Sequence, residues 1–405
     1  MRPEIVPLQN PVRNYAWGSH SAIADLLGRP SPGGKPEAEL WIGAHPQAPS
    51  RVDVPGGPPT LDALVRSDPL AMLGPTAAQR WEGEFPLLMK IIAADEPLSI
   101  QCHPNEAQAL AGFARENELG LSLDSPLRNY RDPHHKPEVV AALTRFVGLK
   151  GFRPRDEIAR GLGELGVPEL AAPLAAIEHP DGIRRLLAWL WSRPANEREP
   201  MVERAVAAAM RRRDEDPALD WTVRLQAKYP GDVGVLAPLL LNLIVLEPED
   251  ALFLPAGQLH AYLEGTAVEV MSSSDNVLRG GLTPKHVDVA ELLALGVFEP
   301  SPPNVLRPVA VSPSERVYET PAEEFELSFL RIATDAPFAS SSERGPELLL
   351  GLDGSATIAA EDGVAWPLGK GRSVFVPAAV PSYRIEGDAR IGRSRVPIPP
   401  PPRPA

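Results

Sequence analysis

Cysteine occurs once in this chain of 405 residues, at Cys102. A single thiol excludes an intrachain disulfide and any four-cysteine metal knuckle. Lysine is also scarce, with 7 lysines against 33 arginines, and Lys+Arg at 40 fall short of Asp+Glu at 53. The formal net charge of −13 argues against a nucleic-acid partner, because phosphate contacts along a duplex need a concentrated basic face. It leaves room for a local basic pocket that takes a small phosphorylated ligand. No apolar run reaches the roughly 18 to 20 residues needed to span a bilayer. The start MRPEIVPLQNPVRNYAWGSH lacks the apolar core of a secretion signal. The expectation is a cytoplasmic protein with no membrane contact. No GxGxxG follows a strand-like run and no GxxxxGK[ST] occurs, so dinucleotide and P-loop nucleotide sites are not indicated.

What is abundant is punctuation: 48 prolines and 32 glycines break the chain into short elements. In FPLLMKIIAADEPLSIQCHP, Phe85 to Ile92 reads as a buried strand, Asp95-Glu96-Pro97 as a turn, and Leu98 to His103 as a second strand. Period two puts Leu98, Ile100 and Cys102 on a core face, and Ser99, Gln101 and His103 on a polar, wet one. LDALVRSDPLAML suggests short helices broken at Pro69, and NEAQALAGFARENELG a further helix. From 154 to 240 the spacing turns helical. Ile183, Leu186, Leu187 and Leu190 share a stripe, and Val202, Val206 and Met210 recur every four residues. Trp189, Trp191 and Trp221 are read as interhelical packing. Short strands then resume in ALFLPAG, AVEVMS, FELSFLRIA, GSATIAA and SVFVPAA, the pattern of a sandwich or jelly roll and not of a parallel sheet. A weak repeat relates DALFLPAGQLHAYLEG to GRSVFVPAAVPSYRIEG and sets Ser382 against His260. The end of the chain, RVPIPPPPRPA, reads as an extended, mobile tail.

Several side chains could carry chemistry. Gln101 and His103 point the same way from one strand, His260 follows PAGQL at a strand end, and HHKPE brings His135, Lys136 and Glu138 together. Imidazoles and a carboxylate around zinc form a recurrent catalytic arrangement, with an amide oxygen a less common addition. The plain alternative is two hydrogen-bonded histidines and an ordinary surface acid. Lys90, Lys136 and Lys285 are lysines kept where the chain otherwise writes arginine, as a compact ammonium or proton carrier would require. SSSDNVLRGGLTPKH offers Asp275, Arg279 and Lys285 in a loop suited to holding an anion.

The strings NYAWGSH, AELWIGAHP, PLLMKII, PLSIQCHP, HHKPE, LPAGQLHAY and VEVMSSSDNVLRGGLTPKH, in this order over residues 10 to 290, strongly resemble the type I mannose-6-phosphate isomerase family. The resemblance implies a mainly β fold of two cupin-like jelly-roll barrels with an α-helical insertion. It implies a catalytic barrel in two parts, 1–153 and 241–310, interrupted by the helical insertion 154–240. A second barrel without metal, 311–395, and the proline-rich tail 396–405 complete the chain. By position it implies one Zn2+ per chain held by Gln101, His103, Glu138 and His260. The sugar-phosphate pocket would comprise Trp17, Glu39, Lys90, Ser99, Tyr262, Asp275 and Lys285. Lys136, Glu269 and His135 would be candidates for moving the proton, and Arg279 would be divided between phosphate and transition state.

The implied activity interconverts mannose 6-phosphate and fructose 6-phosphate through an enediol, with a small sugar phosphate as partner; the oligomeric state is not fixed by the sequence, a monomer being slightly favoured. Two other readings stand beside it: a non-catalytic double-cupin sugar-binding protein, and an isomerase of a different sugar phosphate, since the stereochemistry of one hydroxyl is read by fine placement of donors.

Overall fold

The computed structural model describes residues 4–31, 33–54 and 56–398. Pro32, Pro55 and residues 399–405 of the expected tail lie outside the described residues. The chain is built on two ten-stranded sheets, and every strand ladder among the described residues is antiparallel. Among these residues no helix is long and apolar enough to cross a membrane.

The first sheet runs in the order Ala251–Leu254, Glu138–Ala142, His260–Ser272, Leu87–Ala94, Glu39–Gly43, Val12–Arg13. The 13-residue strand His260–Ser272 is its spine. From Gly265 onward it lies between Leu87–Ala94 and Glu138–Ala142, whereas its first residues pair instead with Ile100–Cys102 and Phe146–Phe152. The change of partner occurs at a bulge between Tyr262 and Glu264, next to Gly265 at φ 120°. A Cβ there would meet the Arg145 carbonyl oxygen at 2.6 Å, so glycine is required for the bend.

Strand Leu87–Ala94 is buried at every position, and its two faces have different work. Leu87, Met89, Ile91 and Ala93 join Leu40, Ile42, Val139, Ala141, Val268 and Val270 in a core shared with Phe329, Leu348, Leu350 and Phe375 of the second sheet. The other face carries Glu39, Trp41, Lys90, Glu138 and Glu269, because period two puts these residues opposite that core. Each apolar side chain fully buried in the core contributes about 1.5–3 kcal/mol, which lets the opposite face hold ionisable groups. Pro86, without an N–H, keeps the strand from starting at Phe85 as the sequence pattern suggests.

Six α-helices lie between Arg155 and Leu240 and pack on the far side of Ile100, Cys102, Val147 and Leu149. The stripe Ile183, Leu186, Leu187 and Leu190 is buried as its spacing predicts. Met210 is 48% exposed, in contrast to Val202 and Val206. A four-residue spacing precesses around a helix of 3.6 residues per turn, so the third member leaves the buried face. Trp191 also departs from the interhelical reading: its Nε1–H donates to the Gly280 carbonyl at 3.0 Å, on the first sheet.

The second sheet runs Val309–Ala310, Glu315–Tyr318, Glu326–Ile332, Tyr383–Arg395, Glu347–Ala360, Ser373–Val376, Val6–Gln9, Arg51–Val52. Its last two strands come from the N-terminal segment, which the division at 153 assigns to the other barrel. Sequence position alone gives no register that could show this crossover. The weak repeat has a structural counterpart: Gly387 matches Gly265, at φ 136°, with a Cβ that would lie 2.4 Å from the Ser355 carbonyl oxygen.

Candidate metal centre and the pocket beside it

His103 follows the three-residue strand Ile100–Cys102 and precedes a helix, Glu106–Glu118, whose start is fixed by a capping box. Asn105 Oδ1 accepts from the Gln108 N–H and Gln108 Oε1 accepts from the Asn105 N–H, both at 2.9 Å. A cap of this kind contributes about 1 kcal/mol and sets where His103 leaves the sheet. His103 is 1% exposed, so the wet face expected at this position is in fact dry. Leu98 precedes the strand and packs with Ile92 and Tyr262, apart from Ile100 and Cys102.

His103, Glu138 and His260 meet in the interior, with possible ligand atoms all within 4.8 Å of one another. His103 Nδ1 lies 2.8 Å from the Asn276 carbonyl oxygen and His260 Nδ1 lies 3.0 Å from the Gln258 carbonyl oxygen. Carbonyls only accept, so each Nδ1 carries a proton, and in the neutral imidazole Nε2 is then the atom that presents a lone pair. Those lone pairs face the same carboxylate: His103 Nε2 is 3.4 Å from Glu138 Oε1, and His260 Nε2 is 3.5 Å from Oε2. His103 Nε2 is buried without a hydrogen-bond donor. Burial, aided by the Lys136 ammonium, holds the His103 imidazole down at about 4, neutral at physiological pH. Burial works to raise the Glu138 carboxyl, yet it lies well below the usual range, with the Lys136 ammonium the strongest influence in that direction.

Two neutral imidazole acceptors aimed at an ionised carboxylate are a donor set that fits a divalent cation such as zinc. Gln101 is the direct cross-strand neighbour of both His260 and Arg279, which puts its side chain on the same face.

A pocket opens beside this cluster. Lys136 Nζ, 3.1 Å from Glu138 Oε1, lies on its wall with Glu39, Ser99, Gln101, Tyr262 and Glu269. Glu269 receives the Tyr262 hydroxyl at 2.8 Å and the Lys90 ammonium at 3.2 Å. Burial raises the Glu269 carboxyl, and the nearby Glu138 charge adds to that. Burial works against the Lys90 ammonium, but the carboxylates of Glu39, Glu269 and Glu138 outweigh it and hold it above its ordinary value. The ring of Trp41 lies under Lys90 at 5.2 Å and donates its Nε1–H to Glu39 at 2.5 Å. Trp17 packs, half-buried, on the apolar cluster that contains Tyr262.

Three other candidates lie elsewhere. His135 turns its Nε2 to Glu324, in the bend that precedes strand Glu326–Ile332 of the second sheet. Asp275 is held by Gln47 Nε2 at 2.6 Å, with His45 Nε2 3.5 Å away. Lys285 is exposed. Burial first, then Arg131, lowers the Arg279 guanidinium; Lys285, although exposed as a residue, is lowered by partial shielding of its ammonium, then by Arg279 and Arg131. Arg131 thus completes a patch of three like charges, and the sequence pattern did not single it out. Its only signal is its place in NYRDPHHKPE, on the loop that leads to Lys136.

Fold and site together define a metal-dependent enzyme on antiparallel sheets. Residues 5–155 match the family described as phosphomannose isomerase type I, catalytic domain. The chain is 39% identical over 393 residues to the mannose-6-phosphate isomerase of Escherichia coli (strain K12), covering 95% of this chain and 98% of the relative. It is 32% identical over 408 residues to that of Bos taurus, covering 92% and 93%. Among solved structures it is similar to zinc-bound mannose 6-phosphate isomerase, with a TM-score of 0.88, 36% identity, and 97% and 99% of the two chains covered. The apo form from Salmonella typhimurium superposes with a TM-score of 0.87 at the same identity and coverage. The chain belongs to the type I phosphomannose isomerase family.

Proposed function

We propose that the protein interconverts D-mannose 6-phosphate and D-fructose 6-phosphate through an enediol, with one zinc ion held by His103, Glu138, His260 and Gln101. The observation that carries this reading is the pair of buried imidazole lone pairs aimed at Glu138, on the wall of a pocket lined by protonatable groups. When bound, the metal supplies Lewis acidity toward the substrate oxygens.

The chain's own groups supply the rest. Isomerisation removes the proton from C2 of the aldose and returns a proton to C1, while the hydroxyl proton passes from O2 to O1. Lys136 Nζ and the Glu269 carboxyl are the groups on the pocket wall suited to carry these protons. Glu269, raised by burial, is poised nearer neutrality than an ordinary carboxyl. His135, engaged by Glu324, is the less suited of the three. Arg279, Lys285 and Arg131 form the cationic patch for the phosphate, and Glu39, Ser99 and Tyr262 orient the sugar hydroxyls.

The same reading takes the two sheets as cupin-like barrels, with 154–240 as an insertion into the first. It places the protein in the cytoplasm. Stripping the metal and restoring zinc is the direct test: turnover of mannose 6-phosphate should vanish and return. Undiminished turnover in strong chelator would refute the proposal.

A further inference from the structure

Asn276 belongs to none of the groups that line the pocket, yet it is fully buried with every polar atom engaged. Its Nδ2 donates to the carbonyls of Asp132 and His134, both at 2.8 Å. Its Oδ1 accepts the backbone N–H of Arg131 at 2.7 Å and of Asp132 at 3.3 Å. An amide has two donors and one doubly accepting oxygen, so no other side chain of this size can satisfy all four groups. This residue therefore closes the loop that runs from Arg131 into Lys136 and Glu138. Its own carbonyl oxygen, in turn, accepts the His103 Nδ1–H at 2.8 Å.

The two histidines differ here. His260 is oriented by Gln258, two residues away on its own turn. His103 is oriented by a residue 173 positions away. We propose that Asn276 is a positioning residue for the metal centre: it sets the tautomer of His103 and, through one side chain, the distance between that imidazole and the loop carrying Glu138. A carbonyl that drifts from Nδ1 releases the constraint that keeps Nε2 unprotonated, and outer partners of ligating histidines typically govern metal affinity by 10–100-fold.

The inference rests on the metal reading of His103, Glu138 and His260, but one of its tests does not need metal. Asn276→Asp keeps shape and the two accepted bonds while turning an oxygen against the carbonyls of Asp132 and His134. The dissociation constant for zinc, measured by chelator competition at neutral pH, should rise by about 10–100-fold. In metal-free protein, the ring-nitrogen NMR signals of His103 should change from an Nδ1-protonated imidazole to a mixture of tautomers, while those of His260 stay put. Zinc affinity within twofold of wild type, with an unchanged His103 tautomer, would overturn the proposal even if Asn276→Asp lowered thermal stability. Should that variant not fold, Asn276→Ser carries the same two measurements. Failure of the isomerase reading would appear instead as a wild-type protein without turnover, and leaves the tautomer comparison intact.

Discussion

Two buried glutamates, Glu138 of the first sheet and Glu347 of the second, sit among ionisable groups and are treated in opposite ways. Glu138 of the first sheet faces two imidazole lone pairs, and one of these nitrogens has no donor at all. Glu347 of the second sheet, 0% exposed, takes both arms of Arg393, at 3.0 and 2.7 Å, together with the Tyr383 hydroxyl. Arg344 lies beside it at 4.0 Å. A carboxylate already neutralised by a bidentate guanidinium has nothing left for a metal ion. Glu138 has a single-point contact with one ammonium, Lys136 on Oε1, and its other neighbours are imidazole nitrogens that fit a divalent cation. What separates the two sheets is thus how the carboxylate is met: Arg393 fills both oxygens of Glu347, whereas Lys136 meets only Oε1 of Glu138 and leaves Oε2 and the imidazoles to a metal ion. No histidine occurs after His286, so the second sheet also lacks the ligand type.

The largest effects should come from attacking the first of these arrangements. Glu138→Ala and His103→Ala each remove a group from the four-ligand set, so zinc content should fall below stoichiometric and turnover by more than about 100-fold, beyond what outer partners cost. Elemental analysis with activity on the same sample checks this, and a variant with full zinc would remove that residue from the ligand set. Lys136→Ala sharpens the reading further. It should keep its zinc and lower kcat and kcat/KM together, because a group acting in the transition state affects both. A rise in KM alone would make Lys136 a phosphate or hydroxyl contact.

Breaking the second arrangement should cost stability and leave the metal alone. Arg393→Met strands Glu347 as an unpaired buried charge, a change that typically costs roughly 3–5 kcal/mol. Urea denaturation should show the loss, and elemental analysis an unchanged zinc content. The pair also fixes a pH dependence. Burial would raise the Glu347 carboxyl, but Arg393 outweighs it and holds it below its ordinary value. A carboxyl lower in the folded than in the unfolded state stabilises above its unfolded value of about 4.3, and that stability is lost as pH falls through the folded value. Wild type should therefore lose stability below about pH 4, while Glu347→Gln should not show this component.

Much of the first site was legible because period two is a local rule. Lys90 inside LLMKII, and Gln101 beside Cys102, announce a polar face on otherwise apolar strands. The order of motifs also carried the family. Other features depend on distant partners. That Val6–Gln9 would cross to the second sheet follows from register with Phe375 and Val374, which no spacing encodes. Asn276 reads as one more polar residue in SSSDNV until the carbonyls of Asp132 and His134 surround it. Arg131 stands out only when Arg279 and Lys285 are near. Met210 and Trp191 failed for a simpler reason: helical periodicity drifts, and an indole N–H takes the nearest buried carbonyl, whichever layer supplies it.

The smallest expected effect is also the most direct attack on the contrast between the sheets. Ser382 occupies the position that matches His260 in the repeat, where it is half-buried and donates to Glu361 at 2.5 Å. If a missing ligand were all that separates the second sheet from the first, Ser382→His should move it toward metal binding. The interior argues otherwise. Arg393 already fills both oxygens of Glu347, and its guanidinium would have to be expelled and left unpaired before a divalent ion could enter. Position 382 is half-buried beside Glu361, so the new imidazole would have one carboxylate beside it, and two groups are too few to hold zinc. Ser382→His should therefore bind the same amount of zinc as wild type, change thermal stability by less than about 0.5 kcal/mol as surface substitutions do, and leave turnover untouched. A second equivalent of zinc in that variant, seen by elemental analysis after dialysis, would show that the Arg393–Glu347 pair yields to a metal and that the two sheets differ by one histidine.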